Sequence, residues 1–487
     1  MLSVLRAQYY PSYKAAVFEH TGLPQGNESM HITVARNLEF YNSAAKFAHS
    51  RDTDVIVFPE YGIVPYSSRE TIRPYLESIP DPGYYISTPC SEREEYLNRT
   101  ILYTLSCIAK NNSMYVIANL GEIQNCSILP HCPSDGEYHF NTNVVFDRNG
   151  TILVRYRKEH PYFEPGMDIP RVTQDPIFKT DFGTFATYTC FDIIFHRMSK
   201  IAHLPSIDGI FFPTMWIDAA PQFISVAYFQ AWAIGNNITL LAANRQVPSK
   251  GILGSGIFHG RRGVLAYKYN PDLIPTVMVA RIPKRGYLPV SPDASFARFS
   301  ANGSTIWTDE NITISQNSGS FTNGTFLFSE SMLENYTFKK LNKSFGFIEA
   351  CNNGMCCSIK YSTKGLKEQF YLGVFNGTYN ISNRYFWCEE DCVLVRCDAS
   401  GKIPCGSFPF ASTTLFDHLL MRANFSSELV YPSVVQSTVK LVHPRTWYFD
   451  AITRSERYIF LKSKSGINLT MVGLKGRCYN KDPPFRG

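Results

Sequence analysis

No stretch of this chain approaches the ~18 consecutive apolar residues of a membrane span. Met1-Leu-Ser-Val-Leu-Arg-Ala-Gln8 is too short and too polar for the core of a signal peptide, and Lys481–Gly487 carries no hydrophobic tail. Neither a leader nor a membrane anchor is therefore evident in the sequence. Charge is also scarce: 18% of the 487 residues are charged and the net charge is only +6. Without a Lys/Arg block, nucleic-acid binding is not expected. The histidines, including His20, His131, His196 and His259, have no ligand spacing to other His or Cys, so no metal site is expected. No organic cofactor is expected either.

Apolar residues make up 44% of the chain, enough for a packed core, and the length calls for more than one domain or one large domain with an addition. The 13 cysteines form a sparse set (Cys90, Cys107, Cys126, Cys132, Cys190) and a dense C-terminal set (Cys351, Cys356, Cys357, Cys388, Cys392, Cys397, Cys405, Cys478). An odd count leaves at least one thiol without an intrachain partner. Cys126 can bridge locally to Cys132, and Cys90 can pair with Cys107, which would leave Cys190 free. Pairing within the C-terminal eight stays open. Asn-x-Ser/Thr matches crowd the end of the chain, at Asn302, Asn311, Asn323, Asn335, Asn342, Asn376, Asn380, Asn424 and Asn468. Cysteines and sequons together predict N-linked glycans and a secreted or extracellular protein.

Residues 11–295 alternate strand-like and helix-like segments. Val55-Ile-Val-Phe58 is a continuous apolar run, as in a strand buried on both faces. Met30, Val34, Leu38, Tyr41, Ala45 and Ala48 recur at helical spacing. Phe223–Asn236 suits a helix, and Asp147-Arg-Asn-Gly150 a hairpin turn between two strands. Near residues 285–320 the texture turns to Ser, Asn, Gly and Thr, read as a linker. A second domain over 320–487 is then mostly β and stapled by disulfides.

Three strand-like segments end on chemistry. Asp54-Val-Ile-Val-Phe-Pro-Glu60 ends on a carboxylate, Ile152-Leu-Val-Arg-Tyr-Arg-Lys158 on an ammonium, and Gly183–Cys190 on a thiol. A thiol nucleophile, a carboxylate base and a fixed cation for the oxyanion are what amide hydrolysis through a cysteine requires. Singly, each also has an ordinary structural role: Cys190 a core thiol, Glu60 a solvated strand end, Lys158 a snorkelling surface lysine. His160 and His196 lie close enough in sequence to the motifs for a Cys/His dyad to be a rival.

Phe58-Pro-Glu60, Arg155-Tyr-Arg-Lys158 and Thr189-Cys-Phe-Asp192, in this order, resemble the Glu-Lys-Cys triad of the nitrilase (carbon–nitrogen hydrolase) superfamily. Tyr138–Asp147, Phe212–Ile217, Cys356-Cys357 and Tyr371–Phe375 narrow the resemblance to the vanin/biotinidase branch. The resemblance implies an α/β fold: an αββα sandwich followed by a smaller β-rich accessory domain. It implies hydrolysis of a small non-peptide amide, pantetheine to pantothenate and cysteamine in vanins or biocytin in biotinidase. Carried over, Cys190 is the nucleophile, Glu60 the proton shuttle and Lys158 the oxyanion cation. Glu164, ahead of Glu159, is the candidate second carboxylate that positions the lysine. The sequence departs from the branch at Tyr61, where an acidic residue is usual, and at Met215-Trp-Ile-Asp218. Tyr61 and Trp216 are accordingly the candidate substrate-binding residues. Two other readings stay open: acyl transfer to an amine, and a non-catalytic secreted binding glycoprotein on the same scaffold.

Overall fold

The computed structural model describes residues 11–287, 293–300, 303–310, 316–318, 327–397, 405, 408–409 and 411–485. An eight-stranded sheet runs from edge to edge as Thr305–Glu310, Ala294–Phe299, Thr276–Pro283, Ser12–Glu19, Val55–Val57, Tyr115–Asn125, Glu137–Phe146 and Ile152–Arg157. Facing it is a seven-stranded sheet of Gln316–Ser318, Gly263–Tyr269, Ser255–His259, Thr239–Asn244, Gly209–Thr214, Gly183–Thr187 and Ile177–Thr180.

Strand alternation decides which side chains face which layer. Tyr13, Ala15 and Val17 point between the sheets, with Val55, Val57, Ile117, Phe185 and Phe211. Ala16, Phe18, Ile56, Val116 and Ala118 point outward, onto Phe40, Tyr41, Leu102 and Leu105 of the helices Met30–His49 and Thr100–Asn111. The helix Ser225–Gly235 covers the other sheet, with Phe212 edge-on to Phe229 at 5.6 Å. The result is the expected αββα sandwich.

The stretch read as a linker differs from that reading. Ala294–Phe299 and Thr305–Glu310 extend the first sheet, and Gln316–Ser318 joins the edge of the second. Their pairing partners supply what their Ser- and Asn-rich surroundings hide.

The C-terminal part is an antiparallel β-sandwich. Its six-stranded sheet orders Thr337–Lys340, Phe370–Ile381, Tyr385–Arg396, Leu469–Arg477, Val430–Gln436 and Lys440–Leu441. Its five-stranded sheet orders Phe345–Asn352, Met355–Thr363, Phe416–Asn424, Glu456–Ile467 and Trp447–Ala451. Leu372, Val374, Leu394, Val472 and Leu474 of the larger sheet pack between the two sheets. Val393, Val395, Tyr431, Val435 and Met471, on its other face, belong to the core of the first domain. Residues Ser225–Ala233 of the helix Ser225–Gly235 are all buried for that reason: one side meets the seven-stranded sheet, the other the six-stranded sheet.

Disulfides join Cys90 to Cys107 and Cys126 to Cys132, as the spacing suggested. The C-terminal eight pair as Cys351–Cys356, Cys357–Cys392, Cys388–Cys478 and Cys397–Cys405. Cys357–Cys392 ties the two accessory sheets together. Cys190 is free and buried. No helix among the described residues is long and apolar enough to cross a membrane.

Candidate active site

In layered α/β sheets, sites form beyond the carboxyl ends of the strands. Ser12–Glu19, Val55–Val57 and Tyr115–Asn125 run parallel in one sheet, and Gly183–Thr187, Gly209–Thr214 and Thr239–Asn244 in the other. Glu60, Cys190 and Met215 each follow the end of such a strand, and Lys158 follows Ile152–Arg157, which is antiparallel to Glu137–Phe146 and so points the same way as Tyr115–Asn125; backbone topology gathers the four.

Glu60 is 1% and Lys158 2% exposed, which removes the surface roles open to them from sequence. Lys158 Nζ donates to Glu60 Oε1 at 2.8 Å and to Glu164 Oε1. The amide of Asn141 donates to Glu60 Oε1 at 2.7 Å and Glu164 Oε2 at 2.8 Å, and the Met215 N–H donates to Glu60 Oε2 at 2.7 Å. Asn141 is in turn oriented by Asn119 Nδ2, which donates to its Oδ1 at 2.5 Å and to Asn143 Oδ1 at 3.0 Å. Glu164 also accepts from the Tyr162 N–H at 3.0 Å. Glu159, the less favoured candidate, pairs instead with Arg197.

Cys190 sits at φ +44, in the left-handed region that costs a side-chain-bearing residue ~1–2 kcal/mol. Asp192 holds this turn. Its Oδ2 accepts from the Thr189 N–H at 3.2 Å and the Tyr156 hydroxyl at 2.9 Å, and its Oδ1 accepts from the His160 N–H at 3.0 Å. The His160 ring is bonded through Nδ1 to Asp192 at 2.8 Å and stacks on Phe195. The Asp partner that the sequence did not reveal for His160 thus exists. It serves the turn, and no contact among the described residues joins His160 to Cys190.

All three groups are shifted from their ordinary pKa ranges. Burial pushes the Cys190 thiol up, and the charge of Glu60 adds to this; Lys158, the Thr214 hydroxyl and the Met215 N–H oppose it. Glu60 is raised by burial, with Lys158 pulling it down and Glu164 pushing it up. Burial would lower Lys158, but Glu164, Glu60 and Cys190 outweigh it and hold the ammonium well above its usual range. A thiol that keeps its proton until a carbonyl arrives, beside a basic carboxylate and a permanent cation, can perform nucleophilic attack with concerted proton transfer. An ammonium has three N–H donors, and two of those on Lys158 are spent on carboxylates; the third remains to meet a developing oxyanion.

Cys190 opens onto a cavity of about 260 Å³. Phe191, Ile194, Trp216, Ile217 and Phe223 line it from the catalytic domain; Phe328, Tyr379, Ile381 and Trp387 line it from the accessory domain. Tyr162, Ser329 and Ser331 add hydroxyl-bearing side chains, and no charged side chain lines it among the described residues. Trp216 is in the wall, fixed by donation from Nε1 to the Phe223 carbonyl at 2.8 Å. Tyr61 departs from its expected substrate-binding place. It is 6% exposed, and its hydroxyl donates to Glu164 Oε2 at 2.6 Å, behind the cavity rather than on its wall. Asn119, Asn141, Asp192, Tyr162 and the Met215 N–H had no assigned role from sequence. Asparagines inside an otherwise apolar strand were the available signal, because a buried amide needs partners.

A carbon–nitrogen hydrolase profile matches residues 21–245 and a vanin C-terminal domain profile matches residues 325–482. The chain is 32% identical to the pantetheinase of Mus musculus, over 99% of this chain and 92% of that protein. It is 31% identical to the biotinidase of Homo sapiens, over 96% of this chain and 90% of that protein. A solved cysteine-to-alanine mutant of the Nesterenkonia AN1 amidase, from the nitrilase superfamily, superposes with a TM-score of 0.42 at 19% identity, covering 56% of this chain and 92% of that one. On the strength of the two full-length relatives and the two profiles, the chain belongs to the vanin/biotinidase family of carbon–nitrogen hydrolases.

Proposed function

We propose that this hydrolase cleaves a small, uncharged, non-peptide amide through a cysteine thioester, with pantetheine as the first substrate. Cys190 Sγ attacks the carbonyl carbon while its proton passes to Glu60. The oxyanion takes the remaining N–H of Lys158. Glu60 then protonates the leaving amine as the C–N bond breaks, which leaves an acyl-thioester on Cys190. Water enters where the amine left, gives a proton to Glu60 and attacks the thioester. The acid departs and the sulfur recovers the proton.

The observation that carries this reading is a free thiol opening onto an uncharged cavity, with its proton acceptor and its cation buried behind it. A pantothenoyl group is uncharged and carries hydroxyls and an amide, which suits an apolar wall with tyrosine and serine hydroxyls. A biotinyl group is uncharged as well. The six disulfides and the sequons support a secreted, glycosylated protein.

The test is release of cysteamine from pantetheine by the purified protein, run beside biocytin, with Cys190→Ala as control. The variant is expected to fold normally and lose at least ~10³-fold in kcat. Turnover of biocytin alone would move the assignment to biotinyl amides. Wild-type activity retained in Cys190→Ala would remove the mechanism. No turnover, with a Cys190 thiol inert to alkylation, would favour a binding glycoprotein.

A further inference from the structure

The loop Pro161-Tyr162-Phe163-Glu164 carries two groups that matter to the site. Glu164 anchors the Lys158 ammonium, and Tyr162 lines the cavity together with Cys190. Between them Phe163 is left-handed, at φ +47. A phenylalanine does not rest there unless something holds it. The Tyr66 hydroxyl of the first domain donates to the Phe163 carbonyl at 2.5 Å, and the holder on the N–H side comes from the accessory domain. Tyr385, 1% exposed, accepts a hydrogen bond from the Phe163 N–H at 2.8 Å and donates to the Pro161 carbonyl at 3.2 Å. Its ring packs against Tyr162 at 5.2 Å, Phe163 at 5.0 Å and Phe191 at 5.2 Å, so it touches the residue that follows the nucleophile as well.

We propose that Tyr385 is a positioning residue for the hydrolase reaction, its hydroxyl keeping loop 161–164 in the conformation that aims Glu164 at Lys158. The accessory domain is then part of the catalytic machinery, acting through one phenol. Three features support this. The hydroxyl spans Tyr162, holding the Pro161 carbonyl and the N–H of the left-handed residue itself, so it fixes the backbone leading into Phe163 and not merely the packing. The ring is inaccessible, which leaves the hydroxyl no solvent role. And Glu164 lies one residue beyond Phe163, too close for the loop to relax without moving the carboxylate.

The inference rests on the hydrolase reading above, so wild type and Cys190→Ala are assayed first. An inactive wild type fails that reading and not this one. With an active wild type, Tyr385→Phe keeps the ring and deletes the bridge. Active sites are counted by stoichiometric alkylation of Cys190, so that kcat is expressed per competent site. The expected result is an unchanged Cys190 titre, a KM within about twofold and a kcat per site down about tenfold. A purely structural tyrosine would lower melting temperature or titre and leave kcat per site intact, which would overturn the proposal. A second measurement uses a Phe163→Gly background, where positive φ carries no penalty. There the hydroxyl deletion should cost less than threefold. An equal loss in both backgrounds would refute the role of Tyr385 in holding the strained loop.

Discussion

Glu164→Gln changes one charge at nearly constant shape, and its consequences can be worked through atom by atom. The carboxylate accepts from four buried donors: Lys158 Nζ and the Tyr162 N–H on Oε1, the Tyr61 hydroxyl and Asn141 Nδ2 on Oε2. An amide offers one oxygen, so its NH₂ must face two of these donors. At ~1–3 kcal/mol for each orphaned buried group, the variant loses about 2–6 kcal/mol of stability. In a chain of this size that lowers the melting temperature by only about 5 °C, so the protein remains folded for assay. Activity suffers more. Lys158 loses one of its two anchors, and displacement of a catalytic group by an ångström costs about 10²-fold in kcat. The pH profile moves as well. Burial lowers Lys158 and Glu164 opposes it, so without that charge the lysine titrates at lower pH. Burial raises Glu60 and Glu164 adds to the rise, so Glu60 also titrates lower. Both limbs of kcat/KM against pH should shift toward acid. The measurement is a pH–rate series on pantetheine, or on whichever amide the wild type turns over. A variant with kcat within threefold of wild type and an unmoved profile would refute the account of Glu164.

Two further outcomes are expected. Burial raises Glu19, Glu77, Asp218 and Glu330 to about 7 and Glu389 to about 8, whereas it lowers His20 to about 3 and His259 to about 4. A raised carboxyl stabilises the fold at low pH and loses that contribution as pH climbs through its folded value; a lowered histidine acts only below its unfolded value near 6.5. Above pH 6.5 the carboxyls act alone, so stability should fall by roughly 3 kcal/mol between pH 6.5 and 8.5, after discount for coupled partners. Melting curves at constant ionic strength check this, and a higher melting temperature at pH 8.5 would contradict it. At the cavity, Ile381→Ala enlarges the wall supplied by the accessory domain. The ratio of kcat/KM for a bulkier over a smaller acyl amide of the same amine should rise about tenfold; an unchanged ratio would show that Ile381 does not meet the acyl group.

Much of this site was legible along the chain because its parts end strands. Val55–Val57 announces itself as an uninterrupted apolar run, and Glu60 follows it; Lys158 closes an alternating strand and Cys190 a short strand-like segment. Odd-cysteine arithmetic pointed to the free thiol. What stayed hidden depends on distant pairing. Ala294–Phe299 is a strand because Thr276–Pro283 lies beside it, and its flanks of Ser, Asn and Gly gave no local sign. Tyr61 is a substrate-binding candidate from sequence because it replaces the acidic residue usual in the branch, whereas a left-handed backbone, φ +53, accompanies its hydrogen bond to Glu164. Tyr385 lies 222 residues from the Phe163 N–H that it accepts, a separation no periodicity could bridge.

The helix Ser225–Gly235 has no polar stripe, since every residue from Ser225 to Ala233 is covered. A surface helix normally keeps one side for water. Cutting the chain near residue 318 would strip the β-sandwich from this element and leave Tyr228, which meets Tyr431, and Gly235, which abuts it, facing solvent. The amidase half therefore could not be inherited, expressed or evolved as a free-standing module without rewriting that helix. The C-terminal sandwich is thus a condition for the first half to keep this apolar helix out of water.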